Sequence, residues 1–156
     1  PPNTNPGLFR RLENKLNWAA TLHEIGHLIS HTDGHKHGAY ILENTDTPGF
    51  ARHELHRLSQ LVLGQKGKLR KLEVDFEDEH LVCQLMSLRL AVILCHARRD
   101  PEAGSVSLTR LQHSPQHILI KLKPLWSMRF PQSRHLLEQE VLAWQKTSWK
   151  LVIAED

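Results

Sequence analysis

Trp18–Phe50 reads WAATLHEIGHLISHTDGHKHGAYILENTDTPGF, and the assignment of its histidines decides the fold. His23-Glu24-Ile25-Gly26-His27 has the H-E-x-x-H spacing. On an α-helix that spacing puts two imidazoles on one face with a glutamate beside them, which suits a zinc ion and the water it activates. One extended form of the motif continues through a glycine to an aspartate. Here Ser30 stands at the glycine position and Asp33 at the aspartate, with Glu43 and Glu54 as alternative downstream carboxylates. A zinc metallopeptidase with ligands His23 and His27 is the reading this motif offers. Two facts oppose it. A five-residue pattern arises cheaply in a chain with twelve histidines, and no strand precedes the helix to hold a peptide.

Working outward, residues 8–30 carry apolar positions at helical spacing. Gly34 and Gly38 mark "HTDGHKHG" as a loop, followed by a short helix over Ala39–Asn44 and a turn at Thr47-Pro48-Gly49. Phe50–Leu63 is a second long helix, closed by Gly64 and Gly67. Glu77–Arg99 is apolar almost all round, as in a central buried helix, and Asp100–Gly104 stops it. The period then changes. Val106–Leu111 and His117–Lys123 read as strands, Ser133–Lys146 as a helix and Trp149–Ile153 as a last strand. The expected organisation is α+β and predominantly helical: a helical domain over 1–99 and a β-β-α-β subdomain over 100–156.

With 40% apolar and 24% charged residues, the chain can bury a core and is not of disordered composition. Two cysteines, Cys83 and Cys95, make no disulfide framework, which points to a reducing, cytoplasmic compartment. No signal peptide or membrane span is apparent. A net charge of +3 plus the histidines suits an anionic partner such as phosphate chains, nucleotides or nucleic acid, while composition alone favours a solvated surface with a basic tilt.

A larger pattern covers residues 16–156. Trp18 to Gly26, Ile29, His31, His35-Lys36-His37, Ala39 to Asn44, Asp46 and Pro48-Gly49-Phe50 together resemble the C-terminal part of the exopolyphosphatase and guanosine pentaphosphate phosphohydrolase (Ppx/GppA) family. "LRLAVILCHARR" and the closing "WKLVIAED" are similar to later family segments. His27 departs from the pattern, which has an apolar residue there, so the second histidine of the apparent zinc motif is the one foreign to the family. Leu63, Gln65, Lys66 and Lys68 replace an arginine- and histidine-bearing stretch after the third helix.

The resemblance implies a substrate-binding and dimerisation region of a larger phosphohydrolase acting on polyphosphate or a phosphorylated guanine nucleotide. The catalytic actin-like ATPase-type domains, with their magnesium, would lie outside this chain, which would need no cofactor of its own and be inactive alone. Partners would be those N-terminal domains and a second copy, with no membrane and no specific nucleic acid. The helical part also looks like an HD-type hydrolase bundle that has lost its metal: no histidine precedes His23, glutamate replaces aspartate at Glu24, and Val92 stands where an aspartate ligand is usual.

Candidate anion contacts are His31, His35, Lys36 and His37 on the glycine-flanked loop, then Lys66, Lys68 and Arg70. Imidazole and ammonium groups beside glycine-flanked backbone can all donate to phosphate oxygens. Arg89 sits in the apolar run and needs a partner, since an unpaired buried cation is very costly. Glu24 is the expected one, forming a buried structural pair.

Overall fold

The computed structural model describes residues 5–96 and 101–155. It is predominantly helical α+β, and its contacts divide the chain into two compact units, 1–67 with 72–89 and 68–71 with 90–156. The division falls at Arg89/Leu90, inside a helix; the boundary expected at Arg99/Asp100 lies outside the described residues.

The first unit is built from α1 (Pro6–Leu22), a 3-10 turn (Ile25–Leu28), α2 (Gly34–Asn44), α3 (Arg52–Gly64) and the first part of α4 (Glu79–Leu94). Asn5 starts α1 by accepting the Gly7 N–H at 2.9 Å, with Pro6 at the first helical position. Leu58, Leu61, Val62, Val82 and Leu85 form the centre of its core. Polar side chains tie the helices across it. Gln84 of α4 donates to the Leu12 carbonyl at 2.6 Å and accepts from Arg57 Nε of α3 at 3.0 Å. Ser59 donates to the Ala39 carbonyl of α2 at 3.0 Å. Trp18 meets Phe50 edge to face, with ring centroids 4.8 Å apart.

Two sequence expectations change here. The first helix ends at Leu22 rather than running to residue 30, and α2 starts at Gly34 rather than Ala39. One cause explains both. A β-carbon on Gly26 would overlap the carbonyl oxygen of Gly34 and the amide nitrogen of Gly38. Gly34 and Gly38 therefore serve a close crossing of the 3-10 turn over a helix and are not loop punctuation.

The second unit comprises the 3-10 turn Leu69–Lys71, the end of α4, β1 (Val106–Leu111), β2 (Ser114–Leu122), α5 (Pro124–Arg129), α6 (Pro131–Trp144) and β3 (Lys150–Glu155). Its sheet has order β1-β2-β3. β1 and β2 form an antiparallel hairpin with Leu108 opposite Ile120, and β2 pairs parallel with β3, Ile120 opposite Ile153. The parallel pair requires a crossover, which α5 and α6 supply; α5 was not expected. Ile120, Leu122, Leu137, Trp144 and Leu151 are fully buried between sheet and helices. Trp126 and Trp149 are buried too, so three of the four tryptophans belong to this core. Trp144 donates its indole N–H to Glu140 at 2.6 Å, and the Arg110 guanidinium lies 5.5 Å from the Trp149 ring centre.

Candidate functional site

The two histidines of H-E-x-x-H do not share a helix face. His23 lies just past the end of α1, its Nδ1–H donating to the Ala20 carbonyl at 2.6 Å. His27 belongs to the 3-10 turn, where its ring covers Gly34 and stands 5.1 Å, centre to centre, from the His31 ring. Among the described residues no three His, Cys, Asp or Glu side chains converge as a metal would require, so the donors present do not fit a resident divalent ion.

Arg89 is buried, at 5% exposure. Its guanidinium donates to the carbonyls of Gly64 at 2.6 Å and Gly67 at 3.2 Å. Glu24 is exposed. The expected buried Glu24–Arg89 pair is thus corrected: the arginine serves the C-terminal end of α3, whose last carbonyls have no intrahelical donor.

His35, Lys36 and His37 form the first turn of α2, not a loop. Asp33 precedes them in the left-handed conformation, φ 57°, and gives no side-chain cap. Its carboxylate takes Lys36 Nζ at 2.9 Å instead, and that hydrogen bond is the main reason its carboxyl is held below the usual range. No side chain caps the first turn of α2; the Lys36 and His37 N–H groups donate to the Asp33 carbonyl at 2.8 and 3.2 Å, at the positive end of a helix dipole. Lys66 approaches the same end: a β-carbon on its neighbour Gly67 would lie 3.8 Å from His35 Nε2. His31 is exposed on the segment leading into α2.

Burial holds the His35 imidazole below its ordinary value; Asp33 pulls it up, and the charges of Lys36 and Lys66 push it further down. The folded chain therefore binds this proton less readily than the unfolded one. Its stabilising contribution is present at neutral pH and declines as pH falls from the ordinary imidazole value through the lowered one. Urea unfolding at about pH 7.5 and about pH 5 is expected to show a smaller loss of stability on acidification in His35→Gln than in the wild type. Equal losses would refute this.

The remaining predicted contacts lie elsewhere. Lys68 and Arg70 belong to the second unit, where they line a small cavity with Lys146. Sequence reasoning missed Lys146, because nothing in its spacing links it to residues more than seventy positions earlier. A separate apolar cavity of about 310 Å³ in the first unit, between α1 and α4, is lined by Phe9, Leu12, Leu16 and Cys83 among others and holds none of the predicted residues.

Fold and clusters define a predominantly helical α+β chain with basic side chains grouped at the start of α2 and around Lys68, Arg70 and Lys146. The chain belongs to the Ppx/GppA phosphatase family, whose domain III matches residues 5–145. It is 32% identical over 141 residues to the guanosine-5'-triphosphate,3'-diphosphate pyrophosphatase of Pseudoalteromonas translucida, over 145 residues to that of Photobacterium profundum, and over 143 residues to one from Vibrio cholerae. The alignments take in 88–90% of this chain and 28% of each relative. The chain thus spans a little over a quarter of the length of these relatives. No described helix is long and apolar enough to cross a membrane.

Proposed function

We propose that this chain is the C-terminal, substrate-handling region of a phosphohydrolase acting on guanosine pentaphosphate, with polyphosphate as the alternative substrate of the same chemistry. The observation that carries the reading is the domain III match across residues 5–145. The name shared by the relatives favours the nucleotide. In this reading the α2 N-terminus, with His31, His35, Lys36, His37 and Lys66, contacts phosphate oxygens. Backbone N–H groups and the helix dipole attract the anion, and the lysines add point charges. His35, held neutral at pH 7, acts as a hydrogen-bond donor rather than as a cation. Magnesium and the hydrolytic groups belong to other domains of the whole protein, and a second copy of the chain is its oligomeric partner.

The test is titration of the purified 156-residue chain with linear polyphosphate and with guanosine pentaphosphate. Binding that weakens steadily with salt, without release of phosphate, is the expected result. Phosphate release by this chain alone, or peptide cleavage abolished by a chelator, would overturn the reading.

A further inference from the structure

The second unit holds a cavity of about 150 Å³ lined by Lys68, Leu69, Arg70, Ala143 and Lys146. Three of its five lining residues are cationic and none is acidic. None of the three cationic side chains forms an ion pair or hydrogen bond with a described residue. Other exposed cations of the chain do pair with acids: Arg129 meets Glu102 at 2.8 Å and Lys36 meets Asp33 at 2.9 Å. Here three like charges line one opening, with no acid among its described lining residues.

The helical framework accounts for part of this. Lys146 follows the C-terminus of α6, where a cation offsets the partial negative charge of the last carbonyls. That end amounts to about half an elementary charge, against three full positive charges, so the cavity stays strongly cationic. Its walls are also fixed. Leu69 is 2% exposed and anchors the 3-10 turn that carries Lys68 and Arg70, while fully buried Leu137 and Trp144 anchor α6. Ala143 leaves the opening between them.

We propose that this cavity is a binding site for a single phosphoryl group, held by the Arg70 guanidinium and by Lys68 and Lys146 as point charges. Guanidinium presents paired donors that match two phosphate oxygens, and ammonium adds charge without fixed geometry. The volume is well below the roughly 300 Å³ at which pockets take a drug-sized molecule, so the site receives one phosphate and no nucleobase. The occupant is therefore inorganic phosphate or the end of a phosphate chain. The choice of phosphate over other anions rests on the phosphohydrolase reading above; the cationic cavity does not.

The test follows backbone amide resonances of the 156-residue chain on titration with inorganic phosphate, tripolyphosphate and sulfate at low ionic strength. Phosphate and tripolyphosphate are expected to shift the amides of residues 69–71 and 143–146. Lys146→Ala should weaken this response about tenfold, as loss of one charge-assisted contact would, and Lys146→Arg should recover most of it. A stronger response to tripolyphosphate identifies a chain end as the occupant, and an equal response identifies free phosphate. Lys146 is exposed, so the fold survives its replacement, which a thermal melt checks. Shifts confined to residues 34–37, an unchanged affinity in Lys146→Ala, or sulfate bound as tightly as phosphate would overturn the proposal. Shifts at 69–71 and 143–146 without any at 34–37 would leave this site standing and remove the α2 reading. No shift at either place would remove both.

Discussion

Gly26→Ala is expected to destabilise the first unit by about 3 kcal/mol or more, at or beyond the top of the range for overpacking a close-packed site. The added β-carbon would overlap the Gly34 carbonyl and the Gly38 amide nitrogen. Those are backbone atoms of α2, so relief requires the 3-10 turn and the helix to separate. Separation would also strain the Gln65 side-chain bond to the His23 carbonyl at 2.5 Å and the Ser59 bond to Ala39 at 3.0 Å. The neighbouring glycines supply controls. At Gly34 the β-carbon meets the His27 ring, the end of a side chain that can swing outward. At Gly38 it comes to 3.0 Å from Val62 Cγ1 and 3.3 Å from the Gly26 nitrogen. Urea unfolding should rank Gly26→Ala as the most harmful, and His27→Ala should rescue Gly34→Ala. A midpoint for Gly26→Ala within error of that for Gly38→Ala would refute the close crossing.

These glycines also show where the sequence misleads. Hydrophobic spacing located the long helices, because a buried helix face leaves a period of 3.6 whatever packs against it. The strand Val106–Leu111 was legible for the same reason, in its own period. Glycine has no such signature. The same residue marks a loop or a place where two backbones touch, and only the partner segment distinguishes them. Gly34 and Gly38 taken as punctuation make "HTDGHKHG" a loop that carries His31, His35 and His37. In the fold His35 and His37 lie in the first turn of α2, His31 precedes it, and Gly34 and Gly38 are the residues held against Gly26. α5 escaped notice because Pro124 reads equally as the end of β2 and as the first residue of a six-residue helix.

The candidate site was legible in residue type and only partly in grouping. His35 and Lys66 were both named, and the fold brings Lys66 close enough to depress the imidazole. Lys68 and Arg70, two and four positions further on, pass into the other unit and join Lys146. Charge spacing along a chain predicts a basic segment well, yet not where that segment divides between two bodies. The zinc motif failed for a related reason. Its geometry presupposes an unbroken helix, and α1 ends at Leu22, one residue before the first histidine.

Arg89→Met is expected to cost about 2–4 kcal/mol, since it removes charge-assisted hydrogen bonds and strands the buried Gly64 carbonyl. Arg89 is the buried cation of α4 and donates to Gly64 and Gly67, the last residue of α3 and a residue of the segment that follows. Methionine fills part of the space but donates nothing, leaving the Gly64 carbonyl at a helix end that has no intrahelical donor. For a domain of this size that loss lowers the melting temperature by about 4–16 °C. Arg89→Lys should restore only part of it, because a single ammonium cannot reproduce a planar fork spanning two carbonyls. Glu24→Gln is the decisive comparison. Were Glu24 the partner, neutralising it would strand the arginine and cost nearly as much as removing the arginine itself. With Glu24 exposed, the change should stay within about 0.5 kcal/mol, as for surface substitutions generally. Equal losses in Arg89→Met and Glu24→Gln would restore the buried ion pair, and a negligible loss in Arg89→Met would remove the carbonyl-capping role. The predicted asymmetry follows from Arg89 closing the end of α3 while Glu24 lies exposed.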